Sequence, residues 1–198
     1  EFSGWQEALH ALETQHTIEP NDLIVFANDT FCMHRYFGAV DARAFIKAFQ
    51  TLAARSNAAI AGDLCTRSDP IRLPEIAGNY WISTYLFALR YGTAQTIGGL
   101  YYSDSEINRI IIKITDTHIQ FCDEVSESFA HYINAWMYPK DTENGWTKAR
   151  TASVELKLGK IKAILNEKRL SLTLKKRNVE FIPVYQGHYH IYRLWRER

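Results

Sequence analysis

The sequence predicts an α/β fold with a mostly helical C-terminal half, on three observations. The apolar run Leu23-Ile24-Val25-Phe26-Ala27 is short and bounded by polar residues, which is typical of a strand buried on both faces of a parallel sheet. A second short run, Ala58 to Gly62, also fits a strand. After residue 80, apolar residues recur mainly at helical spacing, so we expect helices to dominate there.

The composition is that of an ordinary globular domain. The chain has 198 residues, 46% of them hydrophobic and 23% charged, which is enough to bury a core within one domain. Its 23 basic and 22 acidic residues nearly cancel, so no overall field attracts it to nucleic acid. No run approaches the roughly 18 apolar residues of a membrane span. Three widely spaced cysteines fit a reducing compartment, and we expect a cytoplasmic protein.

The front of the chain is predicted to alternate helices and strands. In order, the pattern indicates a helix over residues 5–13, the strand at 23–27, a helix capped by Asp41, a strand over 58–62 ending at Asp63, and a loop with Pro70 and Pro74. Pro20-Asn21-Asp22 separates the first helix from the first strand.

The second half is predicted to be helical apart from its end. The pattern indicates a helix over 80–91, a turn at Gly98-Gly99, a helix after Ser103, helices over 118–137 and 151–176, and strands at 179–185 and 188–190. Ser103 followed by Glu106 is a capping-box signature for the start of a helix.

Asp29 stands directly after the first strand, between Asn28 and Thr30. Open α/β sheets bind ligands at the carboxyl ends of their strands. A carboxylate there can accept hydrogen bonds from a ribose or bind a divalent cation that neutralises phosphate. The alternative is a simple Asn-Asp-Thr turn that closes the strand.

Three segments in this order resemble a known enzyme family: Phe2-Ser3-Gly4-Trp5-x-x-Ala8-Leu9, the strand ending in Asn28-Asp29-Thr30, and Ala59 to Gly62 followed by Tyr80-Trp81-Ile82-Ser83. They are similar to the middle of a GT-A-fold glycosyltransferase of the inverting family 2 type, and more specifically resemble the bacterial rhamnan-synthesis enzymes of surface-polysaccharide clusters. The resemblance implies transfer of a sugar from a nucleotide-sugar donor to a surface-glycan or lipid-linked acceptor. It also implies a single domain, residues 1–198, with a donor-side lobe (1–79) carrying part of a GT-A-like nucleotide-binding sheet and a helical acceptor-side lobe (80–198). Peripheral contact with the inner face of the membrane is a further expectation.

The resemblance assigns donor contacts to Gly4, Asn28, Asp29 and Thr30, with Asp29 acting directly or through Mg²⁺ or Mn²⁺. The motif departs from the family, because Asn28 and Thr30 stand where many relatives have Asp. A single carboxylate holds Mg²⁺ weakly. The chain opens at Glu1 without a methionine, which indicates an internal start, and the family's first strand and base-binding loop would lie upstream.

The segment Trp81-Ile82-Ser83-Thr84-Tyr85 resembles the one that these enzymes place beside the acceptor, which implies acceptor contacts from Trp81, Ser83 and Tyr85. On the predicted helix, Trp81 and Tyr85 face one groove, with core packing as the alternative. Residues 164–171 resemble the family's C-terminal Glu-x-x-Leu-Ser helix. No ion pair is predicted for Glu167 within that helix, so it is interpreted as a solvated acid.

Inverting transfer needs a carboxylate base for the acceptor hydroxyl and positive charge for the departing diphosphate. Asp63 is the favoured base, since strand ends converge on the ligand crevice. Asp104 and Glu106, after the glycine turn, are the other candidates. The candidate phosphate-binding cations are Arg35, Arg67 and Arg90.

Two other classes stay open. A Mg²⁺-dependent nuclease of the restriction-enzyme fold uses an acid followed by Glu-x-Lys on a strand. Asp141 and Glu155-Leu156-Lys157 match this pattern in residue type and order. Residues 154–165 are predicted to be helical, which would make that match accidental. The third hypothesis is a non-catalytic interaction domain whose aromatic stripes pack against a partner.

Overall fold

A computed structural model describes residues 2–28, 31, 37–140 and 145–196, with backbone alone for residues 195 and 196. The fold is α/β: it contains a mixed four-stranded sheet, about 46% helix and a helical C-terminal half, so the predicted fold class is confirmed. The elements in order are α1 (Phe2–Gln15), β1 (Leu23–Ala27), α2 (Ala39–Ala53), β2 (Ala59–Leu73), β3 (Ile76–Arg90), α3 (Tyr91–Thr96), α4 (Asp104–Ile110), β4 (Ile111–Ile114), β5 (Ile119–Phe121), α5 (Glu127–Met137), α6 (Val154–Lys176), β6 (Glu180–Pro183) and α7 (His188–Arg196).

The four-stranded sheet has the order β1-β3-β2-β6. Strand β3 is antiparallel to both of its neighbours, and β6 is parallel to β2. The prediction that residues 23–27 form a strand is confirmed, but its burial on both faces of a parallel sheet is wrong. In the described sheet β1 is an edge strand, so Phe26 is buried while Val25 remains 53% exposed.

The predicted helix over 80–91 is wrong, because residues 80–90 belong to β3 and Tyr91 begins α3. The predicted loop with Pro70 and Pro74 is also wrong in part, since β2 continues through Asp63 to Leu73. Pro70 is tolerated because it lies in a register irregularity between Thr66 and Ile71. Pro74 and Glu75 connect the two strands, and Glu75 has a φ of 66°, which suits a type II turn with proline before the left-handed residue.

The side chains of β3 show why it is a strand. Phe87 and Leu89 join one hydrophobic cluster with α1 and α6, whereas Leu86 and Ala88 join another with α2. Alternation between two covered faces is the period of a strand. A run buried on both faces has no polar side, so its apolar residues also satisfy helical spacing, which explains the wrong prediction.

Helices cover both faces of the sheet, and α6 packs along β3. A third cluster joins the far ends of β2 and β3 to α4, α5, β5 and the middle of α6. Strand β3 runs across residues 79 and 80, so the predicted division into two lobes at that point stays a prediction.

The helical half is confirmed with local corrections. The capping box is present at α4, where the Ser103 hydroxyl accepts from the backbone N–H of Glu106. Helix α6 is confirmed, whereas residues 118–137 form β5 and then α5. The surface strand predicted at 188–190 is wrong, since these residues begin α7. None of the helices within the described ranges has the length and apolar character needed to cross a membrane.

Candidate functional site

Helix α6 covers part of the edge of β3 that β1 leaves open. Strand β1 ends at Ala27, paired with Leu86, so earlier residues of β3 have no β1 partner on that side. The backbone N–H of Ile82 donates to the Ser171 hydroxyl (2.9 Å), and that of Thr84 donates to Glu167 Oε2 (3.1 Å). Residues 167 and 171 lie one helical turn apart, which matches the spacing of alternate residues on a strand. The two side chains therefore satisfy two strand N–H groups.

Glu167 is held by further contacts. The Thr84 hydroxyl donates to Glu167 Oε2 (3.1 Å), and Lys168 Nζ donates to Oε1 (2.5 Å). Lys168 is 4% exposed, with its Nζ 3.6 Å from the centroid of the Trp81 ring. Burial lowers the pKa of Lys168, and the neighbouring Glu167 carboxylate only partly offsets this effect. The interpretation of Glu167 as a solvated acid is wrong.

A cavity of about 250 Å³ opens beside this network. Its polar lining residues are Asn28, Ser83, Thr84, Lys160, Glu167 and Lys168. Asn28 follows β1 directly, and its backbone N–H donates to the carbonyl of Tyr85 (3.2 Å). The cavity therefore joins the carboxyl end of β1, the irregular part of β3 and one face of α6.

The apolar lining is largely aromatic, with Tyr85, Tyr132 and Trp136. Cationic side chains lie against two of these rings: Arg67 is 4.5 Å from the Tyr132 centroid, and Lys160 Nζ is 5.6 Å from that of Trp136. Aromatic faces, a carboxylate and ammonium groups around one opening suit a polar ligand with C–H faces and negative charge.

The structure brings some of the predicted site residues together. Asn28, Ser83 and Tyr85 line the cavity. Trp81 lies on the same strand and packs against Lys168 instead, so the shared helical groove predicted for Trp81 and Tyr85 is wrong. Asp29, Thr30 and Arg35 lie outside the described residues.

Gly4 lies in the first turn of α1, with open space around it. Its helix reaches the end of β1, because Trp5 Nε1 donates to the carbonyl of Ala27 (3.2 Å). Gly4 is not among the residues that line the cavity.

Asp63 does not end a strand, and that prediction is wrong. It lies inside β2 at a register shift: Gly62 pairs with Phe87, whereas Asp63 pairs with Ser83. Its carboxylate is fully buried and accepts hydrogen bonds from Arg193 of α7 (2.5 Å) and the Tyr85 hydroxyl (3.3 Å). Among the described residues, Tyr85 connects Asp63 to the cavity, because it bonds to the carboxylate and also lines the opening.

A second buried acid lies under α7. Asp41 accepts hydrogen bonds from the hydroxyls of Tyr185 (2.6 Å) and Tyr192 (3.4 Å). Burial, and secondarily the bond to Asp41, raises the pKa of Tyr185 to about 12. Arg193 and Tyr192 thus bind α7 to acids of β2 and α2.

The other candidates lie elsewhere. Asp104 begins α4 with its side chain 87% exposed and paired with Lys162 (2.7 Å). Glu106 accepts from the Ser103 hydroxyl and N–H, which lower its pKa. Arg90 donates to Asn21 and to the carbonyls of Ala53 and Arg55. None of the three lines the cavity.

The metal implied by the resemblance depends on Asp29. Across the ranges that the structure describes, no group of three or more His, Cys, Asp or Glu side chains is placed to hold a metal ion. The cavity offers the carboxylate of Glu167, which Lys168 already neutralises. The described residues alone do not fit a metal centre.

Sequence reasoning missed Glu167, Lys168, Lys160 and Trp136 as members of the site. The available signal was the polar content of α6, whose buried residues include Asn166, Lys168 and Ser171 among leucines and isoleucines. Polar residues on the buried face of a helix need partners on the neighbouring element.

Comparison of the chain with protein-family models, with curated protein sequences and with solved structures gave no match. Function has to be argued from the residues of the cavity.

Proposed function

We propose that this chain is an inverting glycosyltransferase that moves a sugar from a nucleotide-sugar donor to a surface-glycan or lipid-linked acceptor, in the cytoplasm at the inner face of the membrane. The observation that carries the proposal is that Glu167 faces a cavity beginning at Asn28, the residue before Asp29. A carboxylate is thus positioned beside the strand end to which the resemblance assigns the donor. The aromatic lining supports a sugar ligand.

Glu167 takes the role of general base that the sequence assigned to Asp63. In the proposed step its carboxylate accepts the proton of the acceptor hydroxyl, while that oxygen bonds to the anomeric carbon. The bond from this carbon to the diphosphate breaks, and its electron pair leaves with the diphosphate. Thr84 and Lys168 fix the orientation of Glu167, and Lys160 supplies positive charge at the opening.

Acceptor contacts are proposed for Ser83 and Tyr85, which line the cavity, and for Trp136, whose ring offers a flat apolar face. Trp81 does not line the cavity, and its proposed role is to pack against Lys168. Asn28, Asp29 and Thr30 stay the proposed donor contacts.

A thermal-shift screen with UDP- and TDP-sugars tests the donor assignment. We expect stabilisation that Asp29→Ala abolishes and that Asp123→Ala, a change of an exposed acid, leaves intact.

Hydrolysis of the donor, in which water takes the place of the acceptor hydroxyl, tests the base. Glu167→Gln should lower the rate of free-sugar release by about 10²-fold or more without weakening nucleotide binding.

The rival classes predict different results. If neither the 198-residue chain nor a version extended upstream is stabilised by any nucleotide sugar, the transferase is wrong and an interaction domain is favoured. Asp141 of the nuclease motif lies outside the described residues, and Glu155 and Lys157 lie in the first turn of α6 instead of on a strand. Glu155 is exposed while Lys157 is buried against Tyr138, so the two do not face one site.

A further inference from the structure

A second cavity of about 500 Å³ lies between the β2–β3 turn, α4 and the C-terminal half of α6. It shares no lining residue with the cavity at Glu167. A ligand in this cavity is therefore independent of the proposed function.

Four cationic side chains line this cavity: Arg109, Arg169, Lys176 and Arg177. Arg169 donates to the carbonyl of Gly99 (2.6 Å), and Lys176 donates to that of Glu75 (3.1 Å). Within the described part of the chain, no carboxylate forms an ion pair with any of the four. Arg109 lies in α4 and Arg177 directly follows α6, and both leave their guanidinium groups available for a bound anion.

Three carboxylates line the same cavity, from Glu75, Glu106 and Glu124. Glu106 Oε2 is engaged by Ser103 at the start of α4. Glu75 and Glu124 are exposed, and carboxylates of this kind accept hydrogen bonds from hydroxyl groups. A ligand with phosphate at one end and hydroxyls at the other satisfies both kinds of lining group.

Tyr102 lines this cavity and has a hydroxyl that forms no hydrogen bond with the described residues. Its side chain is 8% exposed, and the hydroxyl is buried. The Arg169 guanidinium lies over the ring, 5.0 Å from its centroid. A ligand oxygen that enters after a shift of Arg169 removes the cost of this unpaired hydroxyl.

We propose that this cavity binds a phosphorylated sugar. Arg109 and Arg177 bind the phosphate, Glu75 and Glu124 accept hydrogen bonds from the sugar hydroxyls, and Tyr102 donates to a ligand oxygen. The volume of about 500 Å³ accommodates a ligand of that size.

Calorimetric titration of the full chain with glucose 1-phosphate, inorganic phosphate and glucose tests the site. We expect glucose 1-phosphate to bind most tightly. Arg109→Gln and Arg177→Gln should each weaken its binding about tenfold, because each removes charge-assisted hydrogen bonds. Arg43→Gln is the matched control, as an exposed arginine of α2 outside the cavity.

Tyr102→Phe separates the ligand contact from folding. Since the hydroxyl has no partner in the described chain, this change should leave the midpoint of urea unfolding unchanged or raised, while it weakens glucose 1-phosphate binding severalfold.

Three results overturn the proposal: equal binding by the wild type and both arginine variants, no binding of glucose 1-phosphate at millimolar concentration, or equal affinity for inorganic phosphate. Vesicles containing phosphatidic acid distinguish a lipid source of the phosphate. Binding to these vesicles without binding to the soluble sugar phosphate also excludes the proposed ligand.

Discussion

Asp63 and Glu167 contact the same short stretch of β3 in networks of similar composition. Asp63 meets a guanidinium and a tyrosine hydroxyl, and Glu167 meets an ammonium and a threonine hydroxyl. Asp63 is fully buried beneath α7, whereas the Glu167 side chain keeps 20% of its surface exposed, at a cavity. Partners of the same kind thus give a structural ion pair in one place and a group that can meet a ligand in the other.

The difference arises from where the strands stop. Strand β2 continues past Asp63, so neighbouring strands and α7 enclose its carboxylate. The pairing of β1 with β3 stops at Leu86 and does not reach Thr84. There α6 covers the open edge of β3 with side chains instead of backbone. An edge closed by side chains leaves space for a ligand, which a paired strand would fill.

The largest effect expected is that of Arg193→Met. It removes the guanidinium that donates to the buried Asp63 carboxylate, so the free energy of unfolding should fall by about 3 kcal/mol. Chemical denaturation measures this change, with Arg43→Met as a control on an exposed helix face. Adding Asp63→Asn should recover much of the loss. If Arg193→Met behaves like the control, the Asp63 network is not structural.

Ser171→Ala tests the covered edge of β3. It leaves the buried N–H of Ile82 without its acceptor, so unfolding should require about 1–3 kcal/mol less. Ser68→Ala, in an exposed position of β2, should change stability little. Faster hydrogen exchange at Ile82 would locate the effect, and unchanged exchange would contradict the proposed role of Ser171.

Lys168→Met should have the smallest effect at neutral pH, below about 1 kcal/mol. The Glu167 carboxylate that loses its partner is partly exposed at the cavity and keeps its hydrogen bonds from Thr84, and the desolvation cost of a buried ammonium is removed. A loss as large as that of Arg193→Met would remove the contrast between the two networks.

The pH dependence of Lys168 has a defined sign. Its pKa in the folded chain is lowered by burial, whereas in the unfolded chain it is about 10.4. Between these values the unfolded chain binds more protons, so the stability of the wild type should rise with pH relative to Lys168→Met. Urea unfolding of both proteins across that window measures the difference, and parallel curves would contradict the pKa shift.

Local signals in the sequence predicted the local structure well. Ser103 with Glu106 predicted the start of α4, and Leu158, Ile161 and Leu165 at helical spacing predicted α6, because both signals act within a few residues. Strand β3 was mistaken for a helix, since its partners are distant in sequence and its apolar residues fit both periods.

The site was predicted only in part, for the same reason. Ser83, Tyr85 and Asn28, which the resemblance names as acceptor and donor contacts, line one cavity, while their roles stay a prediction. The position of Glu167 depends on N–H groups of a strand about 80 residues earlier, so its own helix gave no indication of them. Asp63 was misplaced because the strand was expected to end there, and nothing in its neighbours signals that β2 continues.

Gly62 lies at the register shift before Asp63, and a side chain at this position would disturb the cavity although Gly62 does not line it. A Cβ at this position would overlap Ile82 Cγ2 and lie 3.1 Å from Phe87 Cβ, both on β3. These atoms are attached close to the backbone, so the strand itself would have to move. Such a movement would displace the Ile82 and Thr84 amides relative to α6, so a single methyl group added at Gly62 would weaken their hydrogen bonds to Ser171 and Glu167.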